Sequence, residues 1–217
     1  MNSAFFLGTF GRVYSVRDIS GSENAPLLAL KVMQDEEEAR EDATYEREAL
    51  EKIMEGDPHH LQNIVRFYGH FDYHGHPCLI FEHLGPSLYR FLDSAKASFV
   101  PVAMHQLSEI VQNVCFALAY LRKCNLTHTD IKTENIVFAR EVTFNDITYL
   151  SDSAQTLVRE LSITDVKLID FGSAIGDSDA HGKDITTRQY RAPEIILGKV
   201  LICPWKRYGV FSLSYCI

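Results

Sequence analysis

Two short runs, Arg12 to Asp18, with Val13, Tyr14 and Val16 among charged residues, and the apolar Leu27 to Met33, flank a loop rich in Gly, Ser, Asn and Pro. The pattern predicts two strands paired as a hairpin. An acidic run from Asp35 then leads into a segment where Ala39, Ala43, Glu46, Leu50 and Ile53 recur at steps of three and four, one face of a helix. Two further apolar runs, Ile64 to Phe71 and Cys78 to Glu82, enclose the turn sequence Tyr-His-Gly-His-Pro and predict a second hairpin. Beyond Gly85-Pro86 the period changes. Met104, Leu107, Val111, Val114, Leu118 and Leu121 define a long helix with a buried face, ending near Lys123, a cation suited to the negative helix terminus. Short strands at Ile136 to Phe138 and Val166 to Ile169 are separated by a polar stretch, and a Gly/Asp-rich loop runs from Gly172 to Lys183. The reading is a strand-rich first part with one helix, then a helical part, with the boundary near 83 to 86.

Charge narrows the partners. With 21 basic and 29 acidic residues the net charge is −8, which argues against binding nucleic acid through a basic face and favours a basic partner or substrate. The 46% hydrophobic and 23% charged content is that of an ordinary globular enzyme, excluding collagen, coiled coil and wholesale disorder. Five cysteines without a Cys-x-x-Cys pair point to reduced thiols in cytosol or nucleus rather than to disulfides or zinc. No run of 18 apolar residues and no basic segment ahead of an apolar one is found, so neither a membrane nor a secretory address is expected. From 195 to 217 there is no Asp or Glu, and the aromatic residues follow no helical or alternating order, so this tail departs from the rest.

Glu46 is the most informative single residue, because a carboxylate stands in the apolar stripe between Ala43 and Leu50. A buried charge requires a partner, and Lys31, on the preceding strand among apolar neighbours, is the candidate. Glu48 is the weaker choice, being turned by roughly 200° around the helix. Upstream, Gly8-Thr9-Phe10-Gly11-Arg12-Val13 places glycines just before a strand, where backbone N–H groups can approach phosphates. Downstream, His128-Thr129-Asp130-Ile131-Lys132-Thr133-Glu134-Asn135 is followed by Asp170-Phe171-Gly172. Asp130 can accept a proton from an attacking hydroxyl, Lys132 can offset phosphate charge, and Asn135 and Asp170 supply oxygen ligands of the kind Mg²⁺ prefers. An isolated Asp or Asn in a loop is ordinary turn chemistry. Five spaced elements in this order are not.

With Ala192-Pro193-Glu194 added, these elements make the chain similar to eukaryotic protein kinases over about residues 6 to 198. Leu126-Thr127-His128-Thr129-Asp130, Phe171-Gly172-Ser173-Ala174, Thr187 through Glu194, and Phe81 through Tyr89 resemble the LAMMER (cdc-like) dual-specificity kinases of the CMGC group; SR-protein kinases share His-Thr-Asp. The resemblance implies an α+β, bilobal protein-kinase-like fold. An antiparallel-sheet N-lobe would occupy residues 1–84, a partial helical C-lobe 85–198, and a non-family tail 199–217. It implies ATP and Mg²⁺ as cofactors. Gly8, Gly11, Val13 and Ala29 would line the nucleotide site, and Lys31 would hold the α- and β-phosphates while paired with Glu46. Phe81 would be the gatekeeper, and Glu82 and Leu84 would offer backbone hydrogen bonds to adenine. Asp130 would be the catalytic base with Lys132 beside it, Asn135 and Asp170 would hold metal, and Arg191 would shape the pocket after the phosphoacceptor. Implied partners are serine-arginine-rich splicing factors in the nucleus, with cytoplasm as the alternative; direct nucleic-acid or membrane binding is not expected.

Three positions depart from the family pattern. Phe6 stands at the first glycine of the phosphate loop with little ahead of it to form a first strand, Thr133 replaces a proline, and after Gly198 the expected helices of the large lobe do not follow. The pattern is thus expected to be cut short at both ends, leaving an apolar face of the 104 to 121 helix exposed. Two functions follow: a protein kinase acting on Ser, Thr and Tyr, or a catalytically impaired fragment that binds nucleotide or a partner.

Overall fold

A computed structural model describes residues 4–7, 11–19, 25–95, 100–151, 154–176 and 186–191. Gly8, Ala192-Pro193-Glu194, most of the 172–183 loop and the acid-free tail lie outside these residues.

Five strands form one antiparallel sheet: β1 (Ala4–Leu7), β2 (Gly11–Val16), β3 (Leu28–Met33), β4 (Phe67–Tyr73) and β5 (His76–Glu82), in the order β1-β2-β3-β5-β4. The first strand exists where too little chain was expected to build one. Phe6, the residue in place of glycine, lies in β1 opposite Val13, with a register shift between Ala4 and Phe6. Both expected hairpins are present. The second begins later than its apolar run, because Ile64 makes an isolated parallel bridge to Leu168 instead of joining β4.

Helix α1 (Glu37–Gly56) packs against the sheet with Ala39, Ala43, Glu46, Leu50 and Ile53 all buried, the face read from their spacing. Its first turn carries Glu37 and Glu38, which suits the positive helix end. After the sheet come α2 (Leu88–Ala95) and α3 (Met104–Lys123). The eight-residue α2, which buries Leu88 and Phe91, was not among the expected elements. In α3 the residues Ile110, Val114, Ala117, Tyr120 and Leu121 are buried, whereas Phe116 is 53% exposed and Leu107, Val111, Cys115 and Leu118 are half-buried. The Tyr120 hydroxyl donates to the Ile53 carbonyl at 2.8 Å, tying α3 to the end of α1.

Three small ladders complete the described residues. β6 (Leu126–Thr127) pairs with β11 (Ile175–Gly176), and β7 (Ile136–Phe138) with β10 (Val166–Leu168). The polar stretch between β7 and β10 is a hairpin, β8 (Phe144–Ser151) and β9 (Ala154–Leu161), paired in register from Phe144↔Leu161 to Ser151↔Ala154. Its anchor is Arg159, buried in β9, whose guanidinium bonds Asp146 at 2.8 and 3.1 Å and lies over the Phe144 ring. Arg159 also exchanges backbone hydrogen bonds with Pro101 and Ala103 just before α3. No helix among the described residues is long and apolar enough to cross a membrane.

Candidate active site

Side chains alternate across a strand, so the pairings Val13↔Lys31, Lys31↔Leu79, Ser15↔Ala29 and Ala29↔Phe81 place Val13, Ala29, Lys31 and Phe81 on one sheet face. Gly11 opens β2 on the same side. A Cβ there would lie 2.6 Å from the Val32 carbonyl oxygen, so close strand approach already requires glycine.

From that face the Lys31 ammonium reaches two carboxylates, Glu46 Oε2 at 2.7 Å and Asp170 Oδ1 at 3.1 Å. Glu46 is only 1% exposed. Burial pushes its carboxyl up, opposed by the Lys31 ammonium and by a hydrogen bond from the Phe171 backbone. For Lys31, burial works against the charge, but the two carboxylates outweigh it and raise its pKa. We read the cluster as ionised, because one cation held by two anions is compensated from both sides. Asp170 is held below the usual carboxylate range, chiefly by Lys31.

Phe171, fully buried in the core that also contains Leu50 of α1, lies with its ring centroid 5.0 Å from that of buried His128, the two rings tilted by 60°. The His128 Nε2–H donates to the Ile169 carbonyl at 3.0 Å, while Nδ1 accepts from the Asp130 backbone N–H at 3.3 Å. That tautomer is neutral, and burial lowers the His128 pKa accordingly. The adjoining Thr129, where many kinases carry arginine, is buried with φ +66° and donates its hydroxyl to the Ser173 carbonyl at 2.7 Å. Asp170 likewise has φ +66°, a conformation that non-glycine residues adopt at a cost of about 1 kcal/mol or more.

The Asp130 carboxylate gathers four donors. Oδ1 accepts the Thr187 backbone N–H at 3.0 Å and the Thr187 hydroxyl at 2.5 Å. Oδ2 accepts Lys132 Nζ at 2.6 Å and Asn135 Nδ2 at 3.3 Å. Burial pulls this carboxyl up, but the hydrogen bonds and charge of Lys132 and Thr187 prevail and hold it below the usual range. Lys132 also donates to Thr187 Oγ1 at 3.0 Å. Sequence reading did not foresee the Thr187 contact: the two residues lie 57 positions apart, and no period or spacing signals their meeting. Thr133 is buried and begins a short 3₁₀ turn, Thr133–Asn135.

Asn135 spends its Nδ2 on Asp130 and has no hydrogen bond to Oδ1 among the described residues, while Asp170, 44% exposed, meets Lys31 through Oδ1. Two such oxygens fit a hard divalent cation. At the other end of the site, Glu82 donates its backbone N–H to the Arg66 carbonyl, and half-buried Leu84 packs on the core. Gly85 lies so close to the Arg140 carbonyl that a Cβ would stand 2.1 Å away, which leaves glycine as the residue that fits. Arg191 donates Nε to the Thr186 carbonyl at 2.9 Å. The structure thus brings Lys31, Glu46 and Asp170 into one cluster and Asp130, Lys132 and Asn135 into a second. Gly8 falls outside the described residues.

Comparison with known proteins agrees with this architecture. Residues 7–213 match the protein kinase domain family, and the chain belongs to it. It is 41% identical over 190 residues to the serine/threonine-protein kinase Doa of Drosophila melanogaster, covering 88% of this chain and 22% of that one. It is 38% identical to the human dual specificity protein kinase CLK2, over 88% of this chain and 37% of that protein. A plant relative, serine/threonine-protein kinase AFC3 of Arabidopsis thaliana, is 34% identical over 88% of this chain and 47% of its own length. The chain therefore spans less than half the length of these relatives. A crystal structure of a kinase domain superposes with a TM-score of 0.81 at 36% identity, covering 96% of this chain and 60% of that one. The bilobal kinase fold is the fold of this chain.

Proposed function

We propose that this chain carries the nucleotide site and catalytic loop of a dual-specificity protein kinase that transfers the γ-phosphoryl group of ATP to Ser, Thr and Tyr hydroxyls. The observation that carries this reading is the Lys31 ammonium bridging Glu46 and Asp170. That bridge links the sheet, α1 and the Asp170 loop at one point.

In this reading the adenine lies against Val13, Ala29 and Phe81, with the Glu82 carbonyl and Leu84 N–H as its backbone partners, and Gly8 and Gly11 flank the phosphates. Lys31 holds the α- and β-phosphates, and Glu46 keeps its ammonium aimed at them. Asn135 and Asp170 would hold Mg²⁺, which when bound neutralises charge on the β- and γ-phosphates. The attacking hydroxyl oxygen forms its bond to the γ-phosphorus as the bond to the β-phosphate oxygen breaks. ADP leaves, and the hydroxyl proton passes to Asp130. A carboxylate offers about four acceptor positions, and all four on Asp130 are engaged. An incoming hydroxyl therefore replaces one neutral donor, while Lys132 stays to stabilise developing charge.

The division at 84/85 between sheet lobe and helical lobe, the splicing-factor substrates and the nuclear location belong to the same proposal. They rest on the LAMMER resemblance and on a net charge of −8, complementary to an arginine-rich substrate. The test is transfer from Mg-ATP to an Arg-Ser repeat peptide by the 217-residue chain, with Asp130→Asn as control. Transfer should exceed the control by about 100- to 10,000-fold, the usual worth of a general base. Transfer equal to the control overturns the enzyme reading; nucleotide-dependent thermal stabilisation without transfer leaves the binding fragment in its place.

A further inference from the structure

Lys167 is an unexpected residue in β10. Its neighbours Val166 and Leu168 are fully buried, and its ladder partner Val137 makes no demand for a cation. Its ammonium nevertheless sits 2.6 Å from Glu82 Oε1, with side chains only 17% and 21% exposed. The same carboxylate oxygen accepts the Arg66 backbone N–H at 2.6 Å, while the Glu82 N–H returns a bond to the Arg66 carbonyl at 3.0 Å. The segment holding Arg66 is itself bound to β10, since Leu168 N–H donates to Asn63 and Val65 N–H donates to Leu168. One carboxylate oxygen thus joins the end of β5, the 63–66 segment and β10.

The position of this junction gives it a role. Glu82 ends the strand whose backbone faces adenine in the reading above, and Asp170 lies three residues beyond Lys167, about 10 Å of extended chain. Below Glu82 the connection is pinned again, by Gly85 N–H to the Phe138 carbonyl and Phe138 N–H to the Pro86 carbonyl. These backbone bonds hold the connection to β7, whereas the Lys167–Glu82 pair holds it to the strand that delivers Asp170. A shielded, charge-assisted bond is short and directional, and it sets the distance between the adenine end and the phosphate end of the site.

We propose that Lys167 is a positioning residue for adenine recognition, acting through the Glu82 carboxylate; this rests on the nucleotide reading above. The experiment is calorimetric titration of the intact chain and of Lys167→Met, Lys167→Arg and Glu82→Gln/Lys167→Met with adenosine and with Mg-ATP. Lys167→Met should weaken adenosine at least fivefold and Mg-ATP by the same factor or more. Lys167→Arg should stay within twofold of the parent, and the double variant should bind no more weakly than Lys167→Met. A folded Lys167→Met that binds adenosine as well as or better than the parent overturns the proposal, even if its melting temperature falls, because the pair is then structural only. Should Lys167→Met not fold, Lys167→Gln takes its place with the same two outcomes. A parent chain that binds neither adenosine nor Mg-ATP overturns the nucleotide reading itself, an outcome separate from any difference among the variants.

Discussion

Thr187 and Asp130 show how a single contact sets the chemistry of a carboxylate. The Thr187 hydroxyl and N–H occupy one oxygen, leaving the other for Lys132 and Asn135. If Asp130 is the base, as proposed, Thr187→Ala removes one of its donors and should lower transfer about 10- to 100-fold in kcat with little change in the KM for ATP, while Thr187→Ser restores it. An equal loss in both variants would sink this role. The pH dependence follows from the same bonds. Asp130 and Asp170 both lie below the usual carboxylate range, so each remains ionised at pH values where a free Asp begins to protonate. The stability each contributes is complete above the unfolded-state value and is lost as pH falls through the lower folded value. kcat/KM should therefore show no acid limb from Asp130 above about pH 4, and a limb in that region that disappears in Asp130→Asn would contradict the assignment. Lys31, raised by two carboxylates, keeps its charge throughout this window.

At the scale of elements, α1 and the β8–β9 hairpin are held by opposite means. α1 lays an apolar stripe against the sheet and tolerates Glu46 within it because Lys31 is there. Lys31→Met would leave that carboxylate unpaired, a loss of about 3–5 kcal/mol unless Glu46 takes up a proton, the direction in which burial already pushes it. The hairpin instead depends on Arg159, buried between Asp146 and the Phe144 ring, and on the Phe91–Phe144 edge contact at 5.9 Å. Arg159→Ala should lower the melting temperature by on the order of 5 °C while Arg159→Lys, which lacks the planar fork, recovers only part of it. Thermal scans of the two variants decide between this and a hairpin that merely rests on the surface.

Among the described residues, the polar links between the first part of the chain and the helical region include Lys31 to Asp170, Lys167 to Glu82, Asn63 to Asp165, and Tyr120 to the Ile53 carbonyl. Mg-ATP bridging the same parts should stabilise the chain, by about 2.7 kcal/mol at one hundred times its Kd. That corresponds to a rise in melting temperature of roughly 5–10 °C. Asp170→Asn should remove the part of the rise that depends on Mg²⁺ and keep the part due to nucleotide alone; a variant with the full Mg²⁺-dependent rise would show that Asp170 holds no metal. Along α3, Leu107, Val111, Cys115 and Leu118 are half-buried and Phe116 is exposed.

Both hairpins of the main sheet were legible from short runs flanking turn residues. Periodicity determined the buried face of α1 and the existence of α3, although the α3 face is turned from the expected one, with Met104 74% exposed and Ile110, Ala117 and Tyr120 buried. It also singled out Glu46 and Lys31, since a carboxylate in an apolar stripe needs a cation. The β8–β9 hairpin escaped that reading because its anchor is Arg159 rather than an apolar alternation, and a polar strand leaves no hydrophobic period. β1 escaped it for being four residues long. Only the tertiary structure brought Thr187 to Asp130 and Lys167 to Glu82, across separations of 57 and 85 residues. Such contacts depend on how whole elements meet, and a local pattern of hydrophobic and polar positions does not encode the three-dimensional path between them.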